Sequence, residues 1–387
     1  MPIVAEIATM AEELVAWRRD IHAHPELGLE EERTAAFVAA KLEEFGIQVT
    51  RGIGKTGVVG VLKVGNETRA VGLRADMDAL PIMERNDFDH RSTKDGVMHA
   101  CGHDGHTVML LAAAKYLAGS QNFRGQVNFI FQPAVEGIDG AKAMIADGLF
   151  EQFPCDTLYA MHNRPGMAVG HYGATSGLRT AAGAFFDIYI QGRGAHGAHP
   201  DHSIDPVMIA GEMIGALQTI VARNLPPSTT AVLSITQVHA GDAYNVIPQT
   251  ARLSGTVRTM SMDVMERIQG RMELLVKNNA EGHEASAEMD FRVIFHPVFN
   301  AKEPTALAVE VCDELVGADQ VRKDLPPGTG SEDFAFMSEQ VPSCYIHVGN
   351  GAHSTPVHNP GYDFNDEALV YGASFFARIV ERSLQLD

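Results

Sequence analysis

The sequence predicts an α/β protein in which a smaller domain is inserted into a larger one, and three observations predict it. Helical patterns and short apolar strands alternate in the first half of the chain and again after about residue 297. Between these parts, residues 181–296 follow the order β-α-β-β-α-β of a ferredoxin-like domain. The length of 387 residues also exceeds the usual ceiling for one hydrophobic core, so two domains are expected.

Apolar periodicity predicts the elements of the larger domain, which spans residues 1–180 and 297–387. Its predicted elements are helices over 4–22 and 30–45, strands over 57–64 and 69–75, a helix over 107–118, strands over 126–132 and 156–161, and helices over 304–316 and 366–384. Because helices cover both faces of such a layer, its strands are expected to be buried.

The inserted domain, residues 181–296, begins with an alternating strand over 185–191. Ser203 and Asp205 can cap a helix that has Pro206 in its first turn and ends near Arg223. The remaining predicted elements are strands over 231–239 and 251–259, a helix over 262–279 and a strand over 286–295. This order predicts one sheet with two helices.

Composition narrows the class of protein. The formal net charge of -19 argues against nucleic acid or an anionic membrane as a partner. The four cysteines are scattered and form no disulfide-like framework, which favours a reducing compartment. Neither a signal peptide nor an apolar stretch long enough to span a bilayer is recognised, so we expect a cytoplasmic protein.

The densest cluster of potential metal ligands is His99-Ala-Cys101-Gly-His103-Asp104-Gly-His106. A Cys-x-His pair offers a thiolate and an imidazole to one divalent ion, and Asp104 could orient a ligating imidazole. The apolar run that follows predicts that the cluster lies at a helix N-terminus, where a thiolate is favoured. The alternative is a loop whose polar residues face water.

Three more segments place polar side chains at or near the ends of predicted elements. Glu136 follows the strand over 126–132, His162 ends the strand over 156–161, and His358 precedes the last helix. Ligands gather where the strands of an α/β sheet end, so these side chains could meet the Cys101 loop. Taken singly, Glu136 fits a solvated loop carboxylate and His162 a histidine with ordinary hydrogen bonds.

Eight motifs in order resemble a known family over nearly the whole chain: the dinuclear-metal amidohydrolases that include hippurate hydrolase, bacterial aminoacylases and plant auxin-conjugate hydrolases. Besides the Cys101 cluster, the motifs are Arg19-Asp-Ile-His22-Ala-His24-Pro25-Glu26-Leu27, Leu73-Arg74-Ala-Asp76-Met-Asp78-Ala-Leu-Pro81, His162-Asn163, Gly194-Ala-His196-Gly, Asn245-Val-Ile-Pro248, Gly330-Ser331-Glu332-Asp333-Phe334 and His358-Asn-Pro-Gly-Tyr-Asp-Phe-Asn365. The resemblance implies a catalytic α/β sandwich domain with an inserted lid and dimerisation domain, and a homodimer formed through the lid.

The resemblance also implies roles for single residues. Cys101 would bridge two divalent ions (Mn, Zn, Co or Ni), and His103, Glu136, His162 and His358 would complete their shells. Other implied roles are oxyanion stabilisation by His196, substrate binding by Asn245, Gly330 and Ser331, and support of the metal loop by Asp76. From the residues alone, a loop histidine in a glycine-rich turn is the better interpretation of His196, and His106 fits a packing or capping residue better than a ligand.

One residue departs from the family pattern. The family carries two adjacent glutamates after the strand over 126–132, a general base and acid followed by a metal ligand, but this chain has Val135-Glu136. Glu136 matches the ligand, and Val135 takes the position of the proton shuttle. Because a positioned carboxylate contributes roughly 10²–10⁴-fold and valine exchanges no proton, activity is expected to be impaired.

Four explanations of Val135 stay open at this point. The chain is a variant of an active hydrolase, an impaired natural member, an enzyme whose shuttle is Glu136, Asp139 or His196, or a hydrolase repurposed for a reaction such as deamination. The expected function is hydrolysis of small N-acyl amino acids such as hippurate to a carboxylic acid and an amino acid. The alternatives are a substrate-binding protein with little turnover, a deaminase and a dipeptidase.

Overall fold

The fold is known from a computed structural model that describes residues 3–136 and 139–385. The chain divides into two compact units. The first unit contains Met1–Arg179, Phe299–Pro326 and Asp333–Asp387, and the second contains Thr180–Val298 and Pro327–Glu332. Among the described residues, no helix combines the length and the apolar character needed to cross a membrane.

The helices are numbered here in chain order. They are α1 (Ala5–Ala8), α2 (Ala11–Ala23), α3 (Glu32–Glu44), α4 (His103–Ser120), α5 (Gly140–Ala146), α6 (Leu149–Gln152), α7 (Pro206–Asn224), α8 (Met262–Gly282), α9 (Lys302–Val316), α10 (Phe334–Ser338) and α11 (Leu369–Ser383).

The strands are numbered in the same way. They are β1 (Gln48–Ile53), β2 (Gly57–Val64), β3 (Ala70–Asp76), β4 (Gly125–Gln132), β5 (Thr157–Arg164), β6 (Tyr172–Gly173), β7 (Gly177–Leu178), β8 (Ala182–Gln191), β9 (Ala195–His196), β10 (Ala231–Ala240), β11 (Val246–Ile247), β12 (Thr250–Thr259), β13 (Ser286–Phe295), β14 (Phe299–Asn300), β15 (Val321–Arg322) and β16 (Ser343–Gly349).

A mixed sheet forms the centre of the first unit. Its strand order within the described residues is β1-β2-β4-β3-β5-β16-β6-β15, and β3 runs parallel to both β4 and β5. Every residue of β3 is buried, as expected for a strand covered on both faces. Helix α4 is buried from His103 to Ala114, because its apolar residues surround the whole helix rather than one stripe.

The second unit is built on an antiparallel sheet with the strand order β10-β12-β8-β13. Helices α7 and α8 pack against this sheet and against each other, and they bury an apolar core that includes Phe186, Met213 and Leu253. Asp205 caps α7 by accepting hydrogen bonds from the backbone N–H of Val207 and Met208. The order β8-α7-β10-β12-α8-β13 is the predicted ferredoxin-like arrangement, and the α/β fold class is confirmed.

Some predicted elements differ from those observed. The helix predicted over 4–22 is two helices, α1 and α2, because Thr9 donates its hydroxyl to the Glu6 carbonyl and the chain turns there. Strands β1 and β16 were not predicted. The β16 sequence is buried almost throughout, so it lacks the alternation that marks a half-exposed strand.

Candidate metal centre

The Cys101 cluster lies at the N-terminus of a long helix, α4, as the sequence predicted, and its second half forms the first turn of that helix. His103 is the first residue of α4, and Gly102 precedes it with a φ of 94°. This left-handed conformation suits glycine, and it turns the chain sharply between the two side chains. The Cys101 thiol and the His103 imidazole are both buried.

The five predicted ligands, Cys101, His103, Glu136, His162 and His358, come together within this unit. The Cys101 sulfur lies 3.3 Å from Nε2 of His162, and Nε2 of His358 lies 3.1 Å from Oε1 of Glu136. They form two groups of three donors, Cys101 with His103 and His162, and Cys101 with Glu136 and His358. Within each group the donor atoms lie within 4.8 Å of one another, and the two groups share the Cys101 sulfur.

Backbone carbonyls fix the orientation of two of the imidazoles. Nδ1 of His103 lies 2.9 Å from the carbonyl oxygen of Asp78, and Nδ1 of His162 lies 2.7 Å from that of Asn163. A carbonyl oxygen only accepts, so both Nδ1 atoms carry hydrogen, and in the neutral rings Nε2 keeps its lone pair. Nε2 of His103 is buried and has no hydrogen-bond partner among the described residues.

The prediction that Asp104 orients a ligating imidazole is wrong. Its Oδ2 atom lies 2.8 Å from Nδ1 of His22 and 3.5 Å from Nη1 of Arg18, both on α2. The α4 helix turns Asp104 away from His103, because adjacent residues on a helix do not face each other. The carboxylate beside His103 belongs instead to Asp78, whose Oδ1 lies 3.1 Å from Nδ1 of His103.

Asp76 forms a third group of potential donors with His103 and His106. However, Nδ1 of His106 lies 2.6 Å from Asp76, and Nε2 of His106 accepts a hydrogen bond from the backbone N–H of Asn163. Both ring nitrogens of His106 are therefore engaged. Asp76 also accepts a hydrogen bond from Arg74 at 2.8 Å, so it supports the base of α4 through His106.

Burial and neighbouring charges shift the pKa values of the cluster in different directions. Burial raises the pKa of the Cys101 thiol. Hydrogen bonds to Cys101 and Glu136 raise the pKa of His358 to about 10. Burial alone would raise the pKa of Glu136, but the hydrogen bond from His358 and the charge of His103 lower it. The cluster therefore holds an anionic carboxylate beside a cationic imidazole.

Val135 lies beside Glu136 and is nearly buried. The preceding residue, Ala134, has a φ of 54°, and its backbone N–H donates to Glu31 at 2.9 Å. The backbone N–H of Glu136 donates to Oδ2 of Asp78 at 3.0 Å. Val135 itself offers only a hydrocarbon side chain. The nearby carboxylate of Asp139 forms an ion pair with Lys142 at 2.8 Å.

The other predicted site residues belong to the second unit. His196 pairs with Val246 in the short β9–β11 ladder, and the N–H of Gly197 donates to the carbonyl of Asn245 at 2.8 Å. His196 and Asn245 are therefore close to each other within this unit. Gly330 accepts a hydrogen bond from the N–H of Ala181. The Ser331 hydroxyl is buried, with no partner in the described part of the chain.

Two residues that contact the ligands, Asp78 and Asn163, have no role predicted from the sequence. Asp78 is two residues after Asp76 at the end of β3, and alternate residues of an extended chain point to the same side. This spacing could have indicated that both carboxylates face α4. Asn163 follows His162 directly, but its contacts involve segments about 60 and 200 residues away, and no local pattern reports them.

Comparisons with known proteins agree with this fold and cluster. Residues 72–382 match the family model described as Peptidase family M20/M25/M40. The hippurate hydrolase of Campylobacter jejuni is 42% identical over 385 residues, which cover 100% of both chains. The N-acetyl-L-cysteine deacetylase of Bacillus subtilis is 36% identical over 380 residues, 98% of this chain and 90% of the relative.

A solved structure is also similar over nearly the whole length. The Bacillus subtilis YXEP protein, described as a dinuclear metal binding peptidase of the M20 family, superposes with a TM-score of 0.84 and 32% identity, covering 98% of this chain and 99% of that one. The chain belongs to peptidase family M20/M25/M40. It is an amidohydrolase, so the enzyme class and the family resemblance predicted from the sequence are confirmed.

Proposed function

We propose that this chain is a metal-dependent hydrolase of small N-acyl amino acids, which cleaves the amide bond to give a carboxylic acid and a free amino acid. The observation that carries the proposal is the pair of three-donor groups that share the Cys101 sulfur. The hippurate hydrolase that matches end to end supports substrates of the hippurate type, with an aromatic acyl group such as benzoyl.

The residues of the cluster fit two divalent ions. A shared thiolate, imidazole nitrogens and one carboxylate form a mixed donor set that suits Zn²⁺, Mn²⁺, Co²⁺ or Ni²⁺. The Nδ1 atoms of His103 and His162 each contact a backbone carbonyl, so Nε2 is the ring nitrogen of each that can bind an ion, and the buried Nε2 of His103 has no hydrogen-bond partner among the described residues. A buried polar atom without a hydrogen-bond partner is rare unless a ligand, an ion or a water molecule contacts it.

Cys101 would contact both ions, His103 and His162 one of them, and Glu136 and His358 the other. When bound, such ions polarise an amide carbonyl and lower the pKa of a water molecule. Asp78 holds His103 through its carbonyl and its carboxylate, which fixes the imidazole before substrate arrives. Nδ1 of His162 is held in the same way by the Asn163 carbonyl.

Protonation of the leaving amine is the step for which this chain lacks the expected catalytic group. The leaving amine must gain a proton, and at the position where the family carries its general base Val135 provides neither an acid nor a base. We therefore propose that turnover is impaired at this step. The same observation favours a second candidate function: a protein that binds metal and substrate but releases product slowly.

The predicted residues outside the cluster also have proposed roles. We propose that His196 stabilises the oxyanion, and that Asn245, Gly330 and Ser331 bind the substrate. Two copies of the chain would associate through α7, whose Val207 and Met208 are exposed at 47% and 44%. We also propose that the enzyme is cytoplasmic, because its four scattered cysteines form no disulfide-like framework.

The experiment that tests this function compares the chain with Val135→Glu. Both are loaded with Mn²⁺, Co²⁺ or Zn²⁺ and given hippurate and other N-acyl amino acids, and release of the free amino acid is measured. The glutamate would restore a proton shuttle, so kcat is expected to rise by roughly 10²–10⁴-fold. Val135→Gln is the matched control, because it has similar size and polarity but no carboxylate.

The outcomes separate the candidate functions. A rise with Val135→Glu but not with Val135→Gln establishes an amidohydrolase limited by its missing base. If the parent chain already has a high kcat and Val135→Glu does not raise it, the proposed impairment is contradicted. Substrate binding by calorimetry with no product from either chain favours the binding function. A preference for a free α-amino group over an acylated one identifies a dipeptidase.

A further inference from the structure

We infer that Asn163 is a positioning residue that joins the separate chain segments carrying the metal ligands. The inference rests on the proposed metal site, because it concerns how that site is held together. Asn163 follows His162 at the end of β5 and is 2% exposed. Its side chain contacts two other segments, one containing Cys101 and His103 and one containing His358.

The first contact reaches the Cys101 loop. The Nδ2 atom of Asn163 donates to the carbonyl oxygen of Cys101 at 2.6 Å. Because a carbonyl oxygen only accepts, this contact fixes which end of the amide is the nitrogen. Nδ2 also lies 3.1 Å from Nε2 of His106, which already accepts the backbone N–H of Asn163. The amide is therefore held at the base of α4.

The second contact reaches the His358 loop. The hydroxyl of Tyr362, which is buried, donates to Oδ1 of Asn163 at 2.9 Å. Tyr362 is four residues after His358, and its backbone carbonyl accepts a hydrogen bond from Asn86 at 2.9 Å. The His358 loop also contacts the Cys101 loop directly, since the N–H of His358 donates to the Ala100 carbonyl at 2.7 Å.

Both ends of one amide are thus used to connect three ligand-bearing segments. His358 has a φ of 62°, an uncommon conformation for a residue with a side chain, so its loop depends on contacts of this kind. Gly102 shows how closely the parts fit: a Cβ atom there would lie 2.3 Å from Nδ2 of Asn163 and 2.5 Å from the Tyr362 hydroxyl. The geometry leaves little freedom in the relative placement of Cys101, His162 and His358.

The consequence is a dependence of metal affinity on a residue that ligates no metal. Partners that orient metal ligands typically contribute about 10–100-fold to metal affinity. We expect Asn163→Ala to weaken the binding of Zn²⁺ or Mn²⁺ by about tenfold or more. Tyr362→Phe removes only the hydroxyl, so a smaller loss, about threefold to tenfold, is expected.

The test measures metal affinity by competition with a chelator, and thermal unfolding with and without metal. Asn128→Ala is the matched control. Asn128 is also a buried asparagine of the first unit. Its Nδ2 atom donates to the carbonyls of Phe153 and Pro154, which belong to a segment that carries no proposed metal ligand. The control is expected to lower the melting temperature of the metal-free chain and to leave metal affinity unchanged.

Three outcomes overturn the inference, and they are distinguishable. If the parent chain binds no metal ion, the proposed metal site and this inference fail together. If the parent binds and Asn163→Ala binds equally well, the inference fails alone. If Asn163→Ala does not fold, Tyr362→Phe decides the question. An unchanged metal affinity of this variant overturns the inference. A weaker metal affinity, with a melting temperature that falls only in the presence of metal, supports it.

Discussion

Both units of this chain bury an apolar core, but they differ in the buried charged groups that accompany it. The second unit buries an apolar core, and its buried polar residues within the described part of the chain are Thr180, Ser254, Thr259 and Glu332. The first unit buries whole ionic groups, including Arg18, Arg74 and Asp104, which are fully inaccessible. Charged side chains are seldom buried completely unless they are paired.

The buried charges of the first unit are paired around the ligand-bearing segments. Arg18 contacts Asp363 at 2.8 Å, Asp366 at 2.7 Å and Asp104 at 3.5 Å, and thereby connects α2 to α4 and to the loop that carries His358. Buried ion pairs recover their desolvation cost only when their geometry is good, and removing one partner is strongly destabilising. The comparison teaches that the first unit adds paired buried charges to its apolar core and thereby fixes the positions of the segments they join, whereas the second relies mainly on apolar burial.

The largest expected effect comes from breaking this network. Asp104→Ala leaves His22 and Arg18 without one of their buried partners, so we expect the first unit to lose about 3–5 kcal/mol of stability. Trp17 lies on α2 and is the sole tryptophan of the chain, so its fluorescence during urea unfolding reports on this unit.

Asp104→Asn is the control, since its amide oxygen can still accept the hydrogen bond from His22. We expect it to cost less than Asp104→Ala. A loss below about 1 kcal/mol for Asp104→Ala would show that the buried charges contribute no more than a surface pair does.

The next effect is a pH dependence confined to the first unit. Burial lowers the pKa of His22, but hydrogen bonds to Asp104 and Glu84 outweigh it and raise the pKa to about 9. A folded-state pKa above the unfolded value stabilises the fold fully below about pH 6.5, and this stabilisation disappears as pH rises through 9. The amount involved is about 3 kcal/mol.

Unfolding of the metal-free chain at pH 6.5 and 9.5, followed by Trp17 fluorescence, measures this dependence. His358 also has a raised pKa and contributes in the same direction, so the informative quantity is the difference between the parent and His22→Gln. We expect the variant to lose stability less steeply over this range. If the parent and His22→Gln lose the same stability between pH 6.5 and pH 9.5, His22 is not the origin of the pH dependence.

The smallest effect is expected in the second unit, where a single cap can be removed. Asp205 accepts a hydrogen bond from the N–H of Val207 at 2.8 Å at the start of α7. Asp205→Ala is expected to cost about 1 kcal/mol, visible as faster hydrogen exchange of the α7 amides. Asp205→Asn keeps a capping oxygen and serves as the control. A change in metal affinity or in the Trp17 transition would contradict the assignment of α7 to a separate unit.

Much of the fold could be predicted because each unit follows a simple periodicity. The strands β2, β10, β12 and β13 begin and end within one residue of their predicted bounds, since alternation or a short apolar run marks them clearly. The helix α7 also begins where predicted, because Asp205 and Pro206 are strong start signals. The nearly fully buried strand β16 lacks alternation and escaped prediction, whereas the equally buried β3 was predicted as a short apolar run.

The candidate site was predictable only in part. Cys101, His103, Glu136, His162 and His358 were recognised by residue type and by the family motifs, and the structure brings them together. The groups that hold these ligands were missed or misassigned. Asp104 contacts α2 rather than His103, and Asp78, not Asp104, is the carboxylate that orients the His103 imidazole. Such contacts depend on which side of a helix or strand a residue faces after folding, and on partners far away in the chain.

Gly102 sets a limit on how this chain can change over generations. A Cβ atom at this position would collide with both the amide of Asn163 and the hydroxyl of Tyr362, and the φ of 94° disfavours every other residue type. Position 135, in contrast, accommodates a hydrocarbon side chain within an otherwise intact cluster. A substitution at residue 135 therefore changes the chemical group beside Glu136 without requiring any change in the turn at residue 102.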